Sequence, residues 1–462
     1  MAPSGRPIAY PPVFHLLIAG FSYILSADPF QVVRFMQPVL AFSLVFSITY
    51  VAYRLFGLLS GLAAGLLTIL SFITINRGFF ASPGTLSLII MPLVLYTFYQ
   101  ANEEGKLRFI LISGLLSGLI FLTHSFTALI IIMVVFIYTA SMILLKRPFN
   151  RRFLVIFLLI SGLIALIWWG PLYILYNPHF NVFAGYPLPI SEYYVRYLGI
   201  IPTLLATIGG LCLLKKGENK GIFILIWALS TLLLSRAYLI GLDVIPIRVL
   251  EIASYPLIIM AGYGLAVSLN MIEERLRTNR RTGNILIRKF KFTIIIILTL
   301  FTLISGAVFA DGYTSNLISS NDSHSDYIFP NSIHLLFNPL DYVFKFQVIA
   351  DRYGNLGLAK NRMGVANWFM ENGDRNKTVY STDSYLDTII VSTSRLHVIK
   401  GGYSESIPSN VFKRDMNDIG SLTRDQLLKE NIKYLILRNG VEIPSYAREV
   451  YRNGNYIICI IE

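Results

Sequence analysis

Charge is what this sequence has least of. Only 14% of its 462 residues are Asp, Glu, Lys or Arg, while 55% are hydrophobic, and the mean hydropathy is +0.61. A soluble domain carries about 25% charged residues, so the shortage excludes both a soluble globular protein and a disordered one. Cysteine is almost absent. Cys212 lies in an apolar run and Cys459 near the polar end, so no disulfide framework is implied. There is no Walker A loop, HExxH, CxxC or GxSxG pattern, and no Asp-x-Asp. The six histidines are scattered without metal-ligand spacing. Internal repeats, low-complexity segments and heptads are also missing.

What is present is a series of uncharged apolar runs. Many approach the roughly 20 residues that cross a bilayer, and they recur from Pro38 to Ala310. They predict an α-helical polytopic membrane domain over residues 1–310, with about ten spans near 36–55, 57–75, 85–100, 109–124, 125–145, 153–176, 193–214, 222–240, 249–269 and 292–310. Val13–Ala27 is apolar but short and follows Pro11-Pro12, which predicts an outer juxtamembrane helix. The opening MAPSGRPIAYPP reads as the middle of a loop, not as a cleavable signal.

The charges that remain are unevenly placed. Residues 1–310 hold 23 Lys and Arg against 9 Asp and Glu, and residues 311–462 hold 16 against 17. The basic excess belongs to the membrane half, so topology explains it and nucleic acid does not. Seventeen of those cations fall on alternate connections, namely Arg54, Lys106/Arg108, Lys146 to Arg152, Lys215 to Lys220 and the block Arg275 to Lys291. The other side has Arg6, Arg34, Arg77, Arg196, Arg236 and Arg248. The positive-inside rule places the first set in the cytoplasm and sends residues 311–462 outside.

That tail reads as an exterior linker, 311–355, and a small exterior α/β domain, 356–462. Lys360–Glu371 and Leu422–Glu430 suit helices. Thr378–Ser381, Lys433–Leu437 and Tyr456–Ile461 suit strands, and Asn453-Gly454 signals a hairpin. Its histidines, His324, His334 and His397, cluster with no carboxylates, which suggests a binding or structural domain. Two acceptor triplets, Asn321-Asp-Ser and Asn376-Lys-Thr, agree with an exterior location.

Ionisable groups at a membrane boundary are costly and commonly face a cavity, a partner or a substrate. On this topology the outer ends of the spans carry His15, Asp28, Arg34, Arg77, His124, Glu192, Arg196, Arg236, Asp243, Arg248 and Glu251, which suggests an outward-facing polar cavity. The densest stretch is SRAYLIGLDVIPIRVLEIASYP, residues 235–256. Arg236 and Arg248 bracket a short outer loop, with Asp243 between them and Glu251 about one turn into the next helix. Arginine forks suit phosphate oxygens, so one reading is a polyprenyl-phosphate headgroup site. The other is a structural Arg248–Glu251 pair at i,i+3. His124 and His15 are each as well explained by structural hydrogen bonds.

Four segments resemble the GT-C superfamily of multi-spanning glycosyltransferases, which includes oligosaccharyltransferases, protein mannosyltransferases, aminoarabinose transferases and an archaeal branch labelled 6-pyruvoyl-tetrahydropterin synthase related. They are GRPIAYPPVFHLLIA (5–19), VVRFMQPVLAFSLVFSITYVAYRLFG (32–57), ASPGTLSLIIMPLVLYTF (81–98) and IPIRVLEIASYPLIIMAGYGLA (245–266). The chain starts just after the point where the family has a first span and an acidic catalytic loop. It also has Gly84 where the family often has an acid. The resemblance implies transfer of a sugar from a polyprenyl-phosphate-linked donor on the outer face of the membrane, by a chain lacking that N-terminal segment. Arg236, Arg248, His124, Arg77 and His15 are then expected to bind substrate, and Asp28, Asp243 and Glu251 are the acids available for catalysis. The resemblance admits a divalent cation, though no metal ligands are identified. The expected partners are the lipid-linked sugar and the bilayer. The alternatives are a non-catalytic subunit that binds lipid-linked glycans and, ranked last, a transporter, since there is no repeat and no mid-membrane charge.

Overall fold

The computed structural model describes residues 10–78, 80–176, 194–195, 197–242, 244–278, 290, 292–304, 306–308, 356–381, 383–398, 423–429 and 431–462. Glu192, Arg196, Asp243, Asn321 and the expected linker lie outside them.

The first part of the chain is helical. Its helices are α1 (Val13–Leu25), α2 (Pro29–Phe56), α3 (Leu58–Leu70), α4 (Phe72–Gly78), α5 (Pro83–Glu104), α6 (Leu107–Phe121), α7 (Ser125–Leu144), α8 (Arg151–Tyr176), α9 (Ile200–Lys216), α10 (Asn219–Leu234) and α11 (Pro246–Thr278). A further helix, α12, runs over Phe292–Val308. Among the described residues five helices, α2, α5, α7, α8 and α11, are long and apolar enough to cross a membrane, and α1, α3, α6, α10 and α12 are shorter apolar helices. The protein is a multi-pass membrane protein.

The helices follow the hydropathy pattern closely, with three departures. The expected span 57–75 divides into α3 and α4, because Ser71 is extended and hydroxyls replace the lost helical bonds. Thr74 Oγ1 lies 2.9 Å from the Ser71 carbonyl, and the Ser71 N–H donates to the Thr68 carbonyl. The expected span 222–240 stops at Leu234 and passes into a 3-10 turn, Ala237–Ile240. The described helix in the expected span 193–214 starts at Ile200, after Gly199 with φ +96°. Helix α1 forms as expected. Its exposed Leu16, Phe21, Ile24 and Leu25 suit contact with lipid.

Interiors without water require every polar backbone group to be satisfied, so side chains and helix caps join the elements. Ser47 Oγ donates to the Ile89 carbonyl at 2.7 Å, joining α2 to α5, and Ser113 Oγ donates to the Val94 carbonyl at 2.9 Å, joining α6 to α5. Helix α11 is the most enclosed, with Val249, Ile252, Ala253, Tyr255, Ile258, Ile259 and Ala261 buried. At the ends of α5 and α7, Arg147 donates to the Gly217 carbonyl (2.9 Å) and Asn219 Oδ1 (3.0 Å). Asn219 Nδ2 in turn donates to Glu103 (3.0 Å), and the Asn150 N–H donates to Asn102 Oδ1 (3.3 Å). The basic connections of α5–α6, α7–α8 and α9–α10 therefore meet at one end of the bundle.

The C-terminal part is α/β. Helix α13 (Leu356–Asn372) leads into β1 (Thr378–Ser381), α14 (Ser384–Ser394), β2 (His397–Val398), α15 (Arg424–Lys429), β3 (Ile432–Arg438), β4 (Ala447–Arg452) and β5 (Tyr456–Ile461). The sheet order is β2-β1-β3-β5-β4. Strand β1 is parallel to β2 and β3, and β5 is antiparallel to β3 and β4. Side chains alternate between faces along a strand. Tyr434, Ile436, Tyr456 and Ile458 meet α13 and α14 through Phe369 and Ile390. Leu435, Leu437, Ile457 and Cys459 meet Leu427 of α15 on the other face.

Candidate functional site

The end of the bundle opposite the Arg147 ties gathers four of the residues expected to bind or react. Helix α5 begins at Ser82, whose hydroxyl accepts from the Thr85 N–H (3.2 Å). Thr85 Oγ1 donates to the Phe80 carbonyl at 2.5 Å and lies 3.3 Å from the Arg77 carbonyl. One buried threonine thus fixes the turn that carries Arg77.

The Arg77 side chain runs back over the start of α5, where Gly84 leaves room for it. A Cβ at position 84 would stand 2.0 Å from Arg77 Nη2 and 3.2 Å from Cζ. The guanidinium points toward the first turns of α11. Arg77 Nε is 3.7 Å from Glu251 Oε2, and the two side chains are 24% and 15% exposed. That separation is an ion pair without a hydrogen bond, and Arg77 Nε–H has no hydrogen-bond partner among the described residues. Tyr255, one turn further along α11, is buried, and its hydroxyl interacts electrostatically with Arg77 and Glu251 but makes no hydrogen bond there. Polar groups buried in this condition are rare and call for an explanation.

His124 stands at the α6–α7 junction, close enough to Arg77 and Arg248 to feel both charges. It caps α7. The Thr127 N–H reaches its Nδ1 at 3.4 Å, and Thr127 Oγ1 is 2.8 Å away. Accepting at Nδ1 places the proton of the neutral ring on Nε2. The junction is pinned by the Val13 N–H on the Leu122 carbonyl (3.0 Å) and Trp169 Nε1 on the Phe121 carbonyl (3.2 Å). Arg248 is exposed near the start of α11. Arg77, His124, Arg248 and Glu251 therefore form one group, and Glu251 pairs with Arg77 across the bundle.

The other expected residues sit elsewhere. Arg236 donates to Tyr238 Oη (3.1 Å) and lies over the Tyr194 ring, 4.9 Å from its centroid; Tyr194 Oη bonds Ser235 Oγ. Asp28 is exposed and accepts from the Phe30 N–H at 2.8 Å as the N-cap of α2. His15 is exposed on α1, with edge-on ring contacts to Tyr10 and Phe14. Asp243 lies outside the described residues.

Gly84 and Tyr255 complete the site; Gly84 stood out in the sequence only as a place where an acid was expected, and Tyr255 was not singled out. Tyr255 had a usable signal, since Arg248, Glu251 and Tyr255 follow helical spacing. No group of three His, Cys, Asp or Glu side chains comes together to hold a metal among the described residues. Glu251 is the carboxylate of the group, so these residues do not fit a protein-held divalent cation.

The C-terminal part has its own buried polar group. Arg362 donates through Nε (3.0 Å) and Nη2 (2.8 Å) to Asp383 Oδ2, which also accepts from Tyr456 Oη (2.5 Å). Burial alone would raise the Asp383 carboxyl, but the bonds from Tyr456 and Arg362 and the arginine charge outweigh it and hold the carboxyl below its usual range. Burial and the neighbouring carboxylate push the Tyr456 phenol up to about 12. Asp383 Oδ1 accepts from the Leu386 N–H (3.2 Å), starting α14. These partners all belong to the C-terminal part itself, which fits a structural network.

Comparison with known proteins places the chain. Residues 9–172 match the family described as dolichyl-phosphate-mannose-protein mannosyltransferase. No curated protein matches by sequence. Among solved structures, ArnT from Cupriavidus metallidurans bound to undecaprenyl phosphate superposes with a TM-score of 0.57 at 12% identity, covering 98% of this chain and 88% of that one. Its apo state gives 0.59 at 14% identity with the same coverage. The archaeal oligosaccharyltransferase AglB from Archaeoglobus fulgidus, in complex with an inhibitory peptide and a dolichol-phosphate, gives 0.55 at 13%, covering 95% of this chain and 62% of that one. At such identities the likeness is one of fold.

Proposed function

We propose that this chain is a GT-C-like membrane protein that transfers a sugar from a polyprenyl-phosphate-linked donor to an acceptor at the Arg77 end of the bundle, the outer face. The carrying observation is the Arg77–Glu251 pair, with Arg248 and His124 beside it. Arg77 and Arg248 bind the phosphate that links lipid to sugar. The Arg77 Nε–H is buried and makes no hydrogen bond to the described residues, so this donor is unspent, and arginine forks suit phosphate oxygens. Neutral His124 supplies an Nε2–H donor. The sugar's anomeric carbon loses its bond to phosphate oxygen, and the acceptor hydroxyl forms the new bond. Glu251 takes the acceptor proton. Arginines that neutralise the phosphate also stabilise it as it leaves. By its place in the sequence Asp243 is a second acid to test for this role, while Arg236, held by two tyrosines, has partners of its own. The exterior α/β part lies on the same side of the membrane.

The test is a titration of purified protein with a short-chain polyprenyl phosphate, followed by a transfer assay with polyprenyl-phosphate-linked sugars. Arg77→Ala and Arg248→Ala each weaken lipid-phosphate binding by roughly tenfold to a hundredfold, the scale of a charge-assisted hydrogen bond. Unchanged binding in both variants overturns the phosphate site. A second reading, a non-catalytic protein that binds lipid-linked glycans, is favoured by the commitment of Glu251 to Arg77 and of Asp28 to a helix cap. Binding without transfer of any sugar in the same assay selects it.

A further inference from the structure

The turn between α13 and β1 carries Asn376-Lys377-Thr378, which the proposed site does not use. Asn376 is exposed, and its backbone is held firmly. Its N–H donates to Asp374 Oδ1 (3.1 Å), and its carbonyl accepts from Asn431 Nδ2 (2.7 Å). Lys377 Nζ donates to Asn431 Oδ1 at 2.9 Å. These bonds use the main chain of Asn376 and the side chains around it. The Asn376 carboxamide makes no hydrogen bond to the described residues and stands on the surface of a fixed turn.

An exposed asparagine amide with a hydroxyl residue two positions on is the chemical pattern of an N-glycan acceptor. We propose that Asn376 carries an N-linked saccharide, supplied by a polyprenyl-phosphate- or diphosphate-linked oligosaccharide and a separate transferase. Asn376 Nδ2 forms a bond to the anomeric carbon while the bond from that carbon to phosphate oxygen breaks. The lipid phosphate leaves with the electron pair, and the amide proton passes to a base of the transferase.

The structure also sets the timing. Thr378 is buried at the start of β1. Its N–H donates to the Asn431 carbonyl (3.0 Å), and it pairs with Ile432 of β3 and His397 of β2. A transferase that reads the threonine hydroxyl needs this strand unpaired. Strand β3 follows β1 at long sequence separation, so the acceptor is open only before β3 joins the sheet. The saccharide then projects from the edge where β1 and β3 begin, and Asp383 lies just past the end of β1.

This inference rests on the exterior placement proposed above, and one position tests both. Full-length protein from native membranes is digested, and the Asn376 peptide is weighed. A saccharide mass on Asn376 is expected, lost in Asn376→Gln and Thr378→Val and kept in Thr378→Ser. Finding the peptide only in its bare form overturns the inference. Asn376→Cys separates the causes. If a membrane-impermeant thiol reagent labels it in intact cells while the native peptide is bare, the exterior placement stands and the glycan does not. If it labels only after lysis, both fall.

Discussion

Arg77 occupies the space that a side chain at Gly84 would need, with Nη2 only 2.0 Å from where a Cβ would be. The absent side chain is therefore part of how the cation is aimed at α11. Gly84→Ala separates aim from stability. The obstructed atom is the end of a flexible side chain, which moves cheaply, and alanine raises helix propensity by about 1 kcal/mol. The variant is expected to melt no lower than the native protein and to bind polyprenyl phosphate about tenfold more weakly, a shift of about 1.4 kcal/mol. Isothermal titration beside a thermal melt checks it. Unchanged binding means that Arg77 reaches the phosphate from another position.

Glu251 has two opposed roles, as counter-charge to Arg77 and as acceptor of a proton. Glu251→Gln removes both without changing shape. Lipid-phosphate binding is expected to tighten severalfold as Arg77 loses its competing anion, while turnover falls roughly 10²- to 10⁴-fold, the usual contribution of a general base. Dissociation constant and kcat measured on one preparation separate the roles. A lower melting point with weaker binding would make the pair purely structural.

His124 is both a helix cap and a neighbour of two arginines. His124→Ala loses the cap and is expected to cost about 1 kcal/mol of stability. His124→Asn restores a cap and still lacks the imidazole. Activity that stays low in the asparagine variant, with stability regained, assigns the ring a part in binding. Full activity there limits His124 to capping.

The C-terminal part should respond to acid through Asp383. Its carboxyl is held below the ordinary 3.8 in the folded state, so its contribution is complete above that value. It is lost as pH falls through the lower folded value. Limited proteolysis across this range is expected to release the region as the pH drops. Asp383→Asn leaves Arg362 buried without its charge partner and is expected to destabilise by about 3–5 kcal/mol already at neutral pH. A neutral-pH melt of the variant equal to the native one would contradict the role given to this network.

Sequence conveyed the elements whose local pattern and burial agree. Tyr456–Ile461 alternates between two buried faces and forms the strand expected of it. Helix α14, SYLDTIIVSTS, was not anticipated because serine, threonine and β-branched residues are weak helix formers. Leu386 and Ile390, buried under the sheet, hold it in place. Strand β4, AREVYR, is a polar edge whose exposure hides its alternation. In the site, Arg236 and Arg248 looked like a pair because they flank one loop. The structure gives Arg236 to Tyr194 and Tyr238, and sets Arg248 among Arg77 and His124. Arg77 and Glu251 lie far apart in the chain, so only the packing of α4 against α11 brings them together.

The ties from Arg147 to Gly217 and Asn219, and from Asn219 to Glu103, also have a mechanical consequence. They clasp α5, α7, α9 and α10 at one end, as ribs are riveted at the base of a fan. Asn219 both accepts from Arg147 and donates to Glu103, so its loss would loosen the ends of all four helices together.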